Sequence, residues 1–318
     1  MIEQKYDIAV ILINYNSSQF TINCIESIIE KTTQNSNYQI IVVDNCSKSN
    51  DYLVLKKYFE SNRKDNIQLV RNNINAGFGG GNMLGVHHSN ANYLAFVNND
   101  SILTNDCLSI MIATMKKNPE MGISGPLCYK QNGNLLPTID HFGSPAKEFF
   151  GRTILEKIKP EKYPNRKIIY NKPQKAQFVS GSFMLIKTTD FDEVGGFDTN
   201  IFLYYEETDL CKRLQKINKF AYLIPEAQFV HFHGGSTPNS KLIKIELKIS
   251  YLYIIKKHYG FIWHRIILTK MQIQYFLKSF FKPKYWTLFW VLFQGASLDK
   301  SLKHQQKIVN LANNTKQI

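Results

Sequence analysis

Two carboxylates close apolar runs of strand length, Asp44 in Val42-Val43-Asp44-Asn45 and Asp100 in Val97-Asn98-Asn99-Asp100. A carboxylate at such an end can accept hydrogen bonds from the base or ribose of a nucleotide, or it can cap the helix that follows. Asp100, with the Asn98 amide two residues earlier, has the oxygen chemistry to hold Mg2+ or Mn2+. Glu206 and Glu207 are adjacent at the start of a helical pattern, so they point in different directions and only one can face a crevice as a general base. Asp209 is expected to pair with Arg213, one helical turn on. His231 and His233 emerge from a strand-like piece before Gly234-Gly235-Ser236, where alternation lets one of the two reach a divalent ion as a neutral imidazole. Residues 73–82 carry four glycines but lack the Gly-Lys-Ser/Thr of a P-loop and follow the third strand, not the first. Their expected use is close approach of an anion to backbone N–H groups at a helix N-terminus.

These groups need a frame, and the apolar pattern supplies one. Strands are expected at residues 8–13, 39–43, 67–70 and 93–97, with helices at 20–30, 53–59 and 79–89 between them. That alternation predicts an α/β domain around a mainly parallel sheet, in which ligands sit beyond the carboxyl ends of the strands. Residues 125–177, interrupted by prolines and without a clear period, are expected to be a long irregular excursion of the kind that covers active sites. Order is expected to return with a strand at 178–186, a helix at 206–216 and a strand at 221–224.

Among 318 residues, 44% are hydrophobic and 20% charged, which excludes wholesale disorder. Five dispersed cysteines without a CxxC pair suggest neither a disulfide framework nor a zinc site. The apolar runs are too short to cross a bilayer, and the first residues lack the length of a secretory signal, so the expectation is a cytoplasmic protein. The net charge of +14 is unevenly spread: beyond residue 240, fourteen Lys and Arg face only Glu246 and Asp299. This predicts a nearly neutral body, residues 1–240, and a basic, aromatic-rich helical extension, residues 241–318. Such an extension suits the anionic inner face of the cell membrane, or alternatively a helical layer packed on the body. No helix-turn-helix or RNA-reading aromatic motif is present, so nucleic acid is not an expected partner. A homo-oligomer is compatible with the sequence.

Taken together, the ordered motifs resemble glycosyltransferase family 2, most closely its rhamnosyltransferase-like branch. They are Asn14-Tyr15-Asn16-Ser17, Val43-Asp44-Asn45, Asn75-Ala76-Gly77-Phe78-Gly79-Gly80-Gly81, Asn98-Asn99-Asp100, Gly195-Gly196-Phe197-Asp198, Tyr204-Tyr205-Glu206-Glu207-Thr208-Asp209 and His231-Phe232-His233. The resemblance spans roughly residues 5–240. It implies a GT-A fold, a nucleotide-diphosphate sugar donor, Mn2+ or Mg2+ as cofactor, and inverting transfer of a sugar, rhamnose among the expected ones, to a hydroxyl of a glycan or lipid-linked saccharide in surface polysaccharide synthesis. Asn14, Tyr15, Asn16, Asp44, Asn75, Gly77, Phe78, Gly81, Asn98, Asn99, Asp100 and Gly181 would then bind the nucleotide sugar. Asp100 and His231 would hold the metal, Glu207 would be the general base, and Tyr205 and Glu206 would face the acceptor. Two positions depart from the family pattern: Asn98 stands where many members carry the first Asp, and Glu207 where Asp is usual. A catalytically inert relative that scaffolds a synthesis complex is the alternative that Asn98 leaves open; with Glu207 the carboxylate chemistry survives on a longer side chain.

Overall fold

The computed structural model describes residues 5–33, 36–232 and 240–309. The first half of the chain runs β1 (Tyr6–Asn14), α1 (Ser18–Lys31), β2 (Tyr38–Asp44), α2 (Ser49–Ser61), β3 (Ile67–Arg71), α3 (Gly77–His87), β4 (Ala91–Asn98), β5 (Ser101–Leu103), α4 (Cys107–Lys117) and β6 (Met121–Tyr129). Then come β7 (Leu135–Leu136), β8 (Ile139–Asp140), α5 (Pro145–Ile158), β9 (Gln174–Ala176), β10 (Phe178–Val179), β11 (Phe183–Lys187), α6 (Thr188–Glu193), α7 (Glu206–Lys216) and β12 (Phe220–His231). The extension contributes α8 (Lys241–Phe281) and α9 (Trp286–Phe293).

One mixed sheet organises the body, in the order β3-β2-β1-β4-β11-β6-β12-β5, with β7 and β9 attached to β6 and β12. β1, β2, β3 and β4 are mutually parallel, while β11 lies antiparallel between β4 and β6. Because successive side chains of a strand alternate faces, β1 divides its apolar residues between two cores. Ile8, Val10 and Leu12 pack with α1 and α4 residues such as Ile25 and Met111. Ala9 and Ile11 pack with Phe191, Phe197 and Leu210 on the other face. The expected α/β class, with helices flanking a sheet, is therefore observed.

The expected irregular excursion is the main correction to the fold. Its first residues, 125–129, complete β6, a central strand whose only partly exposed residue is Tyr129. Pro126 disguises that strand, since a proline normally marks an edge or a bulge. Here its partner β12 shifts register between Ile224 and Gln228, opposite Pro126 and Leu127. The same shift carries Pro225, so the expected strand at 221–224 and the strand-like piece that bears His231 form one strand ending at His231. His233 and the Gly234-Gly235-Ser236 loop lie outside the described residues. The expected strand at 178–186 is broken into β10 and β11 by Ser180-Gly181-Ser182.

The extension folds back on itself. Gly260 (φ 84°, ψ 178°) interrupts α8, and both Tyr251 and Lys270 reach Glu148, at 3.1 Å and 3.0 Å. A straight helix would hold those two residues about 28 Å apart. Ile249, Leu252, Ile255, Leu268, Met271 and Leu292 form its apolar cluster, and Tyr205 of the body packs against it. Ser250 donates to the Leu203 carbonyl at 2.9 Å, and Lys257 and His258 reach Asp209 at 2.7 Å and 2.8 Å. The outer surface stays apolar, with Phe261, Ile262, Ile273, Phe280, Phe281, Trp290 and Phe293 all exposed.

Candidate active site

The chain lays down β1, β2 and β3 in one direction across the sheet and then crosses β1 to place β4 on its other side. At such a reversal the loops leaving the two adjacent strands diverge and open a crevice at their carboxyl ends. Asn14 and Asn98 lie there, because Ile13 is in register with Asn98 and Asn14 with Asp44.

Asp100 and His231 meet at this crevice, although 131 residues separate them. β12 pairs with β5 so that His231 stands opposite Ser101, and its Nε2 lies 2.9 Å from Asp100 Oδ1. The Asn98 amide is 3.5 Å from the same ring nitrogen. The buried Cys24 thiol, 3.8 Å from the Asn98 carbonyl, is pushed above its usual range by burial and by the Asp100 charge. Carboxylate oxygen and imidazole nitrogen together suit Mg2+ or Mn2+, so the donor types fit the implied cofactor. Among the described residues, no group of three or more His, Cys, Asp and Glu is gathered.

Glu207 lies across the Ser180-Gly181-Ser182 turn from that pair. The Asn98 N–H donates to the Ser182 carbonyl at 2.8 Å. A methyl group added at Gly181 would lie 3.5 Å from the Phe78 ring and 3.9 Å from Glu207 Oε2. α7 is launched by two consecutive left-handed residues, Tyr204 (φ 72°) and Tyr205 (φ 74°), a costly conformation for side chains of this size. It separates the two glutamates. Glu206 is buried beside Gly79 of α3 with Oε1 unpaired, and burial followed by the Glu207 charge pushes its carboxyl well up. Glu206 therefore turns inward, not toward an acceptor. Burial pushes the partly exposed Glu207 up to about 7.

The glycine segment closes the donor side. Gly77 (φ +73°) opens α3, and a Cβ there would lie 2.1 Å from the Phe202 carbonyl, which instead accepts from the Phe78 N–H at 2.9 Å. Asn75 Oδ1 accepts from Gly77 N–H and from the Asn45 amide, both at 3.0 Å. A Cβ on Gly81 would lie 3.0 Å from Ile13 Cδ1, so its absence lets α3 sit on β1.

Several expected donor contacts face the interior. Asn14 is fully buried; its amide donates to Asp44 (3.0 Å), Ser47 (3.1 Å) and Asp51 (2.8 Å), and its oxygen accepts from Thr21 (2.9 Å). Asn99 donates to Ser17 and Thr21 at 2.7 Å and 2.8 Å. Asp44 is buried with Oδ2 near Arg71 at 3.4 Å; burial raises its carboxyl despite the Ser47 and Asn14 hydrogen bonds. These three tie the crevice loops together from beneath. Asn16 joins the same tie through its N–H to Ser47 (2.9 Å), and Tyr15 is exposed at the rim. Tyr205 packs against Tyr251 with the rings tilted and their centroids 5.5 Å apart, and is held by the extension. Asp209 pairs with Arg213 at 2.7 Å, as its spacing predicts.

Arg71, Ser47 and Asp51 were not evident as site residues in the sequence. Arg71 lies 3.8 Å over the Tyr52 ring and donates to the Ser47 carbonyl at 3.2 Å. Its position one residue past an apolar strand, at the same sheet end as Asp44, was the available signal.

Comparison with known proteins agrees with this architecture. The family model described as "Glycosyl transferase family 2" matches residues 9–195. The chain is 26% identical over 246 residues to rhamnosyltransferase WbbL of Escherichia coli K12, covering 73% of this chain and 89% of that one. It is 27% identical over 164 residues to an N-acetylglucosaminyl-diphospho-decaprenol L-rhamnosyltransferase of Mycobacterium tuberculosis, covering 46% and 49%. Among solved structures, a mannosyltransferase of Pyrobaculum calidifontis in complex with GDP-Man and Mn2+ superposes with TM-score 0.56 at 12% identity, over 92% of this chain and 86% of that one. GalNAc-T7 with UDP, GalNAc and Mn2+ gives TM-score 0.60 at 12% identity, over 80% of this chain but only 48% of its own length. Those likenesses establish a GT-A-like fold, and with more than half the sequence matched by one family model, the chain belongs to glycosyl transferase family 2.

Proposed function

We propose that this glycosyltransferase moves a sugar, rhamnose being the favoured one, from a nucleotide-diphosphate donor to a hydroxyl of a lipid-linked saccharide, with inversion at the anomeric carbon. The observation carrying the proposal is the juxtaposition of the Asp100–His231 pair and Glu207 on either side of one short turn. The curated relatives, two of which are named for rhamnosyl transfer, support the sugar and the acceptor class.

An alcohol must lose its proton as it attacks, and its pKa lies far above neutrality. Glu207, raised to about 7, is strong enough to accept that proton and still ionised at slightly alkaline pH. A carboxylate at this position suffices for inversion by one in-line displacement, because it need only deprotonate the hydroxyl facing the donor. The first N–H groups of α3 are already engaged, Gly77 with Asn75 Oδ1 and Phe78 with the Phe202 carbonyl, so the glycine segment would serve the donor side by close packing and not as a free helix terminus. Phe78, held against Phe197 at 5.9 Å, lies beside Gly181 and would flank the bound sugar there. Asp100 and His231 would hold Mn2+ or Mg2+, which when bound would offset the negative charge gathering on the departing diphosphate. Among the described residues no helix is long and apolar enough to cross a membrane. The exposed aromatic row of the extension and its excess of Lys and Arg support peripheral attachment to an anionic bilayer.

A thermal-shift screen of nucleotide sugars with and without Mn2+ identifies the donor, since a ligand of the native state raises its midpoint. Turnover of that donor which survives Glu207→Gln would reject the assignment of the base, whereas absence of turnover in the native chain with every donor that binds would leave the scaffold reading.

A further inference from the structure

A second charged site lies beside the short β8–β10 pair. Asp140, at the end of β8, is shared by three cations: Lys147 Nζ at 3.3 Å, Arg152 Nη2 at 2.6 Å and Arg166 Nη1 at 3.3 Å. Lys147 also donates to the His141 carbonyl at 2.5 Å. The nearby acids are engaged elsewhere, Glu156 with His141 at 3.0 Å and Glu148 with Lys270 and Tyr251. One carboxylate cannot neutralise three cations. Each of the three keeps between 23% and 34% of its side chain exposed, and Arg166 Nε is buried without a hydrogen-bond partner. Burial alone would raise Asp140; Lys147, the His141 N–H, Arg152 and Arg166 outweigh it and hold the carboxyl low.

The position of this cluster is fixed by strand pairing. Phe178 is in register with Asp140, and the Ser180 N–H donates to the Thr138 carbonyl at 2.6 Å. Gly181, beside Glu207, lies two residues past Val179 at the end of β10, so the Asp140 cluster approaches Glu207 from the β8–β10 side, near enough for the Asp140 charge, after burial, to help raise its carboxyl. α5 bears Lys147 and Arg152, and between them Phe149 and Phe150 face outward, 50% and 60% exposed. They line a cavity of about 940 Å³ together with Phe142, Tyr259 and Trp263. Polar cluster and cavity thus share one helix, interrupted at Gly151.

We propose that Lys147, Arg152 and Arg166, gathered on Asp140, bind the phosphate groups that link the acceptor saccharide to an apolar chain, and that the adjoining aromatic cavity takes the first part of that chain. This rests on the transferase reading for the direction of the acceptor, but its test requires no turnover. Forked guanidinium groups match phosphate oxygens and form stronger hydrogen bonds than neutral donors.

Binding of farnesyl diphosphate to the full chain, measured by calorimetry, tests the site. Arg152→Gln combined with Arg166→Gln should weaken binding about tenfold or more, and Arg152→Lys with Arg166→Lys should lose less, because the charges remain although the forks do not. Asp100→Asn should leave it unchanged, because the donor pocket is not the site probed. Farnesol and inorganic diphosphate should each bind more weakly than the joined molecule. Unchanged affinity in the glutamine pair, equal loss in Asp100→Asn, or farnesol binding as well as farnesyl diphosphate would each overturn the proposal. Should the glutamine pair fail to fold, Arg152→Gln alone, at the most exposed of the three cations, is expected to weaken binding about threefold. An inactive Glu207→Gln enzyme that still binds farnesyl diphosphate, or an active one that does not, separates failure of one reading from failure of the other.

Discussion

The body and the extension invert the usual distribution of polar and apolar groups in opposite senses. Beneath the crevice, Asn14, Asp44, Asn99, Asp100 and Glu206 are buried. On the outer surface of the extension, Phe261, Ile262, Phe280 and Phe281 are exposed, Phe281 by 87%. Buried polar groups and exposed large apolar side chains are the two patterns that packing alone does not favour. In the body the cost is offset by a hydrogen-bond net that leaves Glu206 Oε1 unpaired but gives Asn14 five side-chain partners. The extension has no internal compensation of that kind, so its exposed row makes sense as a contact surface. One region spends polar groups on precision, and the other keeps apolar groups for attachment.

Substitutions can separate these two roles. The largest effect is expected from Glu207→Gln, which should lower turnover by about 10²–10⁴ while vesicle binding is retained. In the native enzyme, kcat/KM should rise with pH and level off above about 7, the value to which burial raises Glu207. A flat profile between pH 5 and 8 would contradict the general-base role. The linkage to stability has the opposite sign. The folded value lies above the ordinary 4.5, so the protonated carboxyl is favoured by folding, and its contribution is full below about 4.5 and lost as pH rises through about 7. Glu207→Gln should accordingly gain in Tm relative to the native chain as pH is raised from 5 to 8.

Next in size is Gly77→Ala, which must place a methyl group against the Phe202 carbonyl at a positive φ. It should destabilise the fold by about 2 kcal/mol or more, measured by denaturant unfolding; a change under about 0.5 kcal/mol would show that the α3 turn yields. Phe280→Asp with Phe281→Asp is the counterpart in the extension. It should reduce affinity for anionic vesicles at least about tenfold, since each fully buried Phe contributes roughly 1.5–3 kcal/mol, and shift stability by no more than about 0.5 kcal/mol. Unchanged sedimentation with lipid would remove the attachment role. Deleting everything after Ser240 is a poorer test, because Ser250, Lys257 and His258 hold Leu203 and Asp209 of the body. The smallest effect is that of salt: raising ionic strength should weaken vesicle binding by the double variant more than by the native chain, whose aromatics do not depend on screening.

How legible each region was follows from the range of its interactions. β1, β2 and β4 announce themselves as apolar runs ending in Asn or Asp, and the motifs around Asp100, Glu207 and His231 carried the site. β6 stayed hidden because Pro126 reads as a breaker until the compensating shift in β12 is seen. The inward turn of Asn14 and Asn99 was equally invisible, since Ser17, Thr21, Ser47 and Asp51 become their partners only once three loops converge. Lys147, Arg152 and Arg166 look like ordinary surface cations in a helix and a loop. Nothing in their spacing places them on Asp140.

The break at Gly260 has a mechanical meaning. Unbroken, α8 would be a rod of about 60 Å jutting from the body; reversed at that glycine, its two arms clasp Glu148 and lock against each other. If the aromatic row rests in headgroups, the distance from bilayer to Glu207 becomes a fixed dimension of the protein, like the gap of a caliper. Acceptors whose reactive hydroxyl stands at that height would be served, and longer or shorter ones would be passed over by size alone.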